Sequence, residues 1–170
     1  MKLIRAEVDL IEAALQGDEA LSTAIGYPVV PGWATFKEAL RMMRDSLAAD
    51  PARVEWGPRF FVDGEPDSVV GWGGFKGPPV DGTVEIGYEI AAGVQGRGFA
   101  TAAARAMVIE AFASPEVEMV IAHTLAEPNA SNHILEKLGF QKVATVMDDN
   151  QPVWRYELER PQDPEPPPLT

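Results

Sequence analysis

The sequence predicts an α+β fold, a mixed and mainly antiparallel sheet flanked by helices. Two observations lead there. Segments with strand-like alternation come singly and in hairpins, with helical segments interspersed, rather than in a regular strand–helix repeat. One short apolar run, Met119–Leu125, lacks alternation, as expected of a strand buried on both faces in the middle of a sheet. With 170 residues the chain reads as one domain over 1–160, long enough to bury an ordinary core. Residues 161–170 hold five prolines and are expected to form a disordered tail.

Taken in order, residues 2–7 suit a short first strand. Asp9 and Glu12 have the spacing of a capping box, predicting a helix whose apolar stripe is Leu10, Ile11, Ala14 and Leu15. Gly17 interrupts it, and 18–24 suit a second short helix. Two prolines and a glycine between Tyr27 and Trp33 predict a loop. Thr35 and Glu38 form a second capping-box pattern, starting a helix along Phe36, Ala39, Leu40, Met43 and Leu47 that must end before Pro51. Tyr27, Trp33, Met42 and Met43 supply apolar surface either to the core or to a pocket wall.

Residues 59–63 and 68–75 read as a hairpin turned at Gly64-Glu65-Pro66-Asp67. The glycines of its second strand predict a bulge or a close neighbour. Residues 84–90 alternate as a strand, with Glu85, Gly87 and Glu89 on one face and Val84, Ile86, Tyr88 and Ile90 on the other. An alanine-rich helix follows over residues 102–112. After the buried run comes a helix over 129–140, capped by Asn129 or Ser131, striped by Ile134, Leu135 and Leu138, and ended by Gly139. Residues 140–147 and 153–159 read as a closing hairpin across Asp148-Asp149-Asn150.

The informative stretch joins the strand at 84–90 to the alanine-rich helix: Val94-Gln95-Gly96-Arg97-Gly98-Phe99-Ala100-Thr101. A helix start exposes about four unpaired N–H groups and carries partial positive charge. Glycines without Cβ let a ligand approach that backbone, and the natural guest is a phosphate or diphosphate. A P-loop would need Gly-Lys-Ser/Thr at the end of the turn. A dinucleotide fingerprint would need Gly or Ala where Thr101 stands.

The stretch resembles the acyl-coenzyme A signature of the GNAT superfamily of N-acetyltransferases, Gln/Arg-x-x-Gly-x-Gly/Ala, which Gln95-Gly96-Arg97-Gly98-Phe99-Ala100 matches in full. A second resemblance lies about thirty residues on. Asn129-Ala130-Ser131-Asn132-His133-Ile134 runs into Leu135-Glu136-Lys137-Leu138-Gly139-Phe140, an ending similar to the ribosomal-protein N-terminal acetyltransferase branch. The resemblance implies a GNAT fold with two splayed central strands, the pantetheine arm lying in the gap. It implies acetyl-coenzyme A as acyl donor, direct attack by a primary amine, and no metal. The acceptor would be a small amine or amino-acid-like metabolite, or a protein N-terminus.

Carried over residue by residue, the resemblance puts Val94, Gln95, Gly96, Arg97, Gly98, Phe99, Ala100 and Thr101 on the cofactor, largely through main-chain amides. Amides near Val94 and the end of the preceding strand would serve the oxyanion. Ser131 stands where the family serine does. The family asparagine would fall at Pro128; Asn129 comes one residue late, which favours a capping role over ligand contact. His133, often arginine in relatives, can reach the cofactor phosphates.

A base is needed for the amine. On one face of the central strand Glu85 is the first candidate and Glu89 the second, with a water or self-deprotonation of the substrate as the alternative, and a carboxylate at Glu85 would have its pKa raised by burial. His123 is either a hydrogen-bonded core residue or a secondary base. The family's thiolate-protonating tyrosine has no counterpart between Tyr88 and Tyr156, leaving Ser131 or a water.

Composition bounds the alternatives. The net charge of −12 argues against a nucleic-acid partner; it serves solubility and is compatible with a cationic acceptor. No run is long and apolar enough for a membrane span, and the absence of cysteine excludes disulfides and thiolate chemistry; both fit a cytoplasmic protein. Two histidines without ligand spacing give no metal site. A homodimer is compatible with the sequence. A non-catalytic acyl-coenzyme A sensor and a nucleotide-binding domain using the same turn remain the competing readings.

Overall fold

A seven-stranded sheet of order β1-β2-β3-β4-β5-β7-β6 runs through the molecule, built from β1 (Lys2–Arg5), β2 (Pro58–Asp63), β3 (Ser68–Phe75), β4 (Thr83–Ile90), β5 (Met119–Leu125), β6 (Gln141–Asp148) and β7 (Gln151–Glu159). Every neighbouring pair is antiparallel except β4 and β5. The structure, a computed structural model, describes residues 1–162. The expected tail therefore lies, apart from Pro161 and Gln162, outside the described residues.

Two cores sandwich the sheet. On one face α1 (Val8–Gln16), α2 (Asp18–Ile25) and α3 (Lys37–Ala49) pack Ile11, Leu21 and Leu40 against Phe60, Val62 and Trp72. Trp33 belongs to this core, edge-on to Phe60, with its indole N–H donating to Asp18. Met42 instead points to solvent. On the other face α4 (Phe99–Ala113) and α5 (Ala130–Lys137) cover Phe61, Val84, Ile86 and Tyr156. Ala103, Ala104 and Ala111 are fully buried, and their small side chains let the α4 backbone lie close to the strands. No helix among the described residues is long and apolar enough to cross a membrane.

Neither predicted capping box forms. α1 starts at Val8 behind Glu7, so Asp9 lies inside the first turn and its charge serves the helix dipole instead. α3 starts behind Phe36 without a side-chain cap, because the Thr35 N–H is drawn to the Glu89 carboxylate at 2.8 Å. Part of the Tyr27–Trp33 loop is more regular than expected: Val29 bridges to Val69.

The glycines of β3 meet the close neighbours their composition implied. A Cβ on Gly71 or Gly73 would run into the Glu89 or Gly87 carbonyl oxygen of β4. The expected irregularity falls on the partner strand, where the β2–β3 register shifts between Phe61 and Val62. The closing hairpin is present, but β7 rather than β6 pairs with β5.

Candidate active site

β4 and β5 are hydrogen-bonded over only three register positions, ending at Glu85 opposite Ile121. Beyond that point the strands part. The rest of β4 stays with β3, up to Gly71 opposite Ile90, while the rest of β5 stays with β7, up to Leu125 opposite Val153. The expected splay is therefore present, and a cavity of about 620 Å³ occupies its mouth. Gly32, Thr35, Tyr88 and Glu89 line one side of it. The glycine turn and the first residues of α4 line another, and Ser131, His133 and Ile134 of α5 close it.

The turn is built for access. Gly96 and Gly98 have φ of 76° and 83°, which favour glycine, and a Cβ on either would meet nothing within 4 Å. The first main-chain bond of α4 is Ala102 N–H to Gly98 C=O at 3.0 Å. Upstream of it, the amides of Gly96, Arg97, Gly98, Phe99, Ala100 and Thr101 make no main-chain hydrogen bond among the described residues. Gly96, Gly98, Phe99, Ala100 and Thr101 all border the cavity. Arg97 lies outside its lining, with its guanidinium over the Phe99 ring at 5.2 Å.

Two candidate residues of this stretch do other work. The Val94 amide, expected to serve the ligand, donates to Ala91 C=O at 3.0 Å and closes a 3-10 turn over Ala92–Val94. The Gln95 side chain donates to Ile90 C=O at 3.1 Å, fastening the turn to the end of β4.

At the α5 start, Asn129 and Asn132 cap reciprocally. The Asn129 side chain accepts from Asn132 N–H, and the Asn132 side chain accepts from Asn129 N–H at 2.9 Å. Asn129 thus sits outside the cavity lining, as its displaced spacing implied. Asn132, buried, also donates to the Thr124 hydroxyl at 2.7 Å and ties α5 to β5. Ser131 and His133 face the cavity.

The carboxylates of β4 meet different surroundings. Glu89 borders the cavity, its two oxygens held by the Thr35 N–H at 2.8 Å and the Trp72 indole N–H at 3.0 Å. Glu85 lies four residues back, where the strands are still paired and outside the cavity lining. One of its oxygens accepts from Lys76 Nζ at 2.7 Å and sits 2.8 Å from His123 Nδ1. Burial alone pushes the Glu85 carboxyl up, but the hydrogen bonds from Lys76 and His123 outweigh it and hold the group below the usual carboxylate value. The expected upward shift is therefore reversed. His123, half-buried, is the hydrogen-bonded partner of that ion pair.

Sequence reasoning missed Tyr88. Its hydroxyl is buried with no hydrogen-bond partner among the described residues. Burial pushes the phenol pKa up, and Ser131, outside hydrogen-bond geometry but near enough to act, pulls the other way. The signal was its place in the alternation: Tyr88 and Glu89 are adjacent, so they flank the gap from opposite faces of one strand.

The residues present fit the expected acyl-coenzyme A. Six amides without a main-chain partner among the described residues and open space at Gly96 and Gly98 suit a diphosphate, and the cavity from that turn to Glu89, bordered by the orphaned Tyr88 hydroxyl, suits an extended arm.

The family model described as "Acetyltransferase (GNAT) domain" matches residues 2–141. An uncharacterized N-acetyltransferase YjdG of Bacillus subtilis (strain 168) is 26% identical over 143 residues, covering 82% of this chain and 85% of that protein. Among solved structures, a GNAT-family acetyltransferase from Bacillus anthracis superposes with a TM-score of 0.62 at 18% identity, covering 92% of this chain and 93% of that one. A spermidine N-acetyltransferase SpeG chimera from Vibrio cholerae and hSSAT gives 0.65 at 16% identity, with 94% and 96% covered; at such identities these two speak for the fold alone. With the domain matched over most of its length, the chain belongs to the GNAT acetyltransferase family.

Proposed function

We propose that the protein transfers an acetyl group from acetyl-coenzyme A to a primary amine by direct attack, the acceptor being a small amine or amino-acid-like metabolite or a protein N-terminus. The observation that carries this reading is a single cavity bordered by the unpaired amides of the turn before α4 and by Glu89 and Tyr88. Acetyl-coenzyme A, when bound, supplies the activated thioester. The amides between Gly96 and Thr101 hold its diphosphate, with the α4 dipole adding favourable charge in an otherwise acidic protein.

Glu89 takes the proton of the incoming ammonium, directly or through a water. Its hydrogen bonds to Thr35 and Trp72 fix its position while leaving lone pairs for that task. Glu85 yields this role, because two cationic or proton-donating neighbours occupy it and lower its basicity. The Tyr88 hydroxyl, which burial keeps protonated, donates to the departing thiolate, with Ser131 beside it. The acidic surface raises the local concentration of a cationic acceptor. The lack of cysteine suits a reducing cytoplasmic setting.

Thiol release from acetyl-coenzyme A, followed with a panel of amines, tests the proposal. Amine-dependent release is expected. Tight binding of coenzyme A without release for any amine would instead favour a non-catalytic sensor.

A further inference from the structure

Beside the main cavity, and sharing Tyr88 and Glu89 with it, lies a second hollow of about 190 Å³. Gly73, Gly74 and Gly87 form its floor, and Trp72, Phe75 and Met43 its walls. It is apolar along its length, with Glu89 at one end and Lys76 at the other. The hollow opens beside Glu89, with Met43 of α3 over it, and so offers an amine at Glu89 a place for the rest of its body.

Three features of the hollow restrict that body. First, Gly73 and Gly74 are glycines because backbone presses on them, whereas a Cβ on Gly87 would meet only Lys76 Cε, at 3.5 Å. Gly87 is therefore the glycine whose missing side chain leaves room for a guest. Second, Glu89 and Gly87 are two residues apart on one strand, roughly 6.5–7 Å. That is the span of one ring or a branched short chain. Third, among the described residues lining the hollow Glu89 is the one carboxylate, so none awaits a second cation. Glu85 is already shared by Lys76 and His123, so it offers a distal ammonium no unengaged partner. A charge or hydroxyl laid on the apolar floor would lose hydration without gaining a partner.

Resting on the proposed amine acetylation, we infer that the acceptor is a primary monoamine with a compact apolar body, of aralkylamine type, seated on Gly87 between Trp72 and Met43. Polyamines and hydroxylated short amines are poor acceptors.

The test compares 2-phenylethylamine, spermidine and ethanolamine at saturating acetyl-coenzyme A. The kcat/KM for 2-phenylethylamine should exceed each of the others by about tenfold or more, the scale on which an apolar pocket discriminates. Gly87→Val should erase that preference by raising the KM for 2-phenylethylamine. Met43→Trp, which fills the same space from α3, is the second variant should the first not fold. Fluorine NMR of 2-(4-fluorophenyl)ethylamine reads the hollow without turnover: its line should broaden with the wild-type protein and stay sharp with the filled variant. Equal or better use of spermidine or ethanolamine, or an unchanged preference in a folded filled variant, overturns this inference while amine acetylation stands. No thiol release with any amine overturns both.

Discussion

Glu85 and Glu89 show how neighbours decide what a carboxylate can do. They share a strand and a face, yet Lys76 and His123 engage one while the other is held only by uncharged N–H donors at the cavity. Glu89→Gln should therefore lower kcat by about 10²–10⁴, the usual contribution of a positioned base, with acetyl-coenzyme A binding retained. Glu85→Gln should stay within a few-fold of wild type in kcat/KM across pH. Its effect belongs to stability. A carboxyl whose pKa is lower in the folded than in the unfolded state stabilises the fold fully above its unfolded value. That contribution is lost as pH falls through the lowered one. Urea midpoints taken as a function of pH should show Glu85→Gln less stable than wild type near neutrality, with the gap closing in acid.

At this scale the sequence was partly legible. Alternation placed both acids on one face, and the late position of Asn129 pointed to its capping role. The commitment of the Glu85 carboxylate to Lys76 and His123 was not readable, since those partners come from two other strand regions. Nor was the orphaned Tyr88 hydroxyl, which depends on burial that a strand pattern cannot supply.

Among the elements, β3 controls where β4 lies. Its glycines allow the β4 backbone an approach that any side chain would block: a Cβ on Gly73 would stand 2.7 Å from Tyr88 Cα and 2.8 Å from Phe61 Cζ. Gly73→Ala should cost about 1–3 kcal/mol in chemical denaturation, as overpacking does, and should lower activity by displacing Tyr88 and Glu89. The glycines were visible in the sequence as a request for a close neighbour; which neighbour was not. The two failed capping boxes have the same origin. Spacing alone predicts a local hydrogen bond, but Thr35 is recruited by Glu89 across 54 positions of sequence, and α1 begins before its apparent cap. The α4 start and the α5 end were legible because their signals are purely local: glycines at 98 and 139, both with positive φ.

Over the whole molecule, the order of strands separates the labour. The α1–α3 face presents Glu89 and the apolar hollow, the α4–α5 face presents the amide-rich turn, and the parting of β4 from β5 joins them. The mixed sheet followed from the mix of hairpins and single strands, while the parting came through family resemblance, since three paired positions leave no mark in composition. The central claim is that main-chain donors at the start of α4 grip the diphosphate of an acyl-coenzyme A. Isothermal titration calorimetry of the folded protein with acetyl-coenzyme A tests it most directly. Saturable one-site binding is expected. It should disappear in Gly98→Leu, which places a side chain in the open space and costs only about 1–2 kcal/mol of backbone strain. A folded wild-type protein that takes up no acetyl-coenzyme A, or a folded Gly98→Leu variant that binds it equally well, would contradict the account.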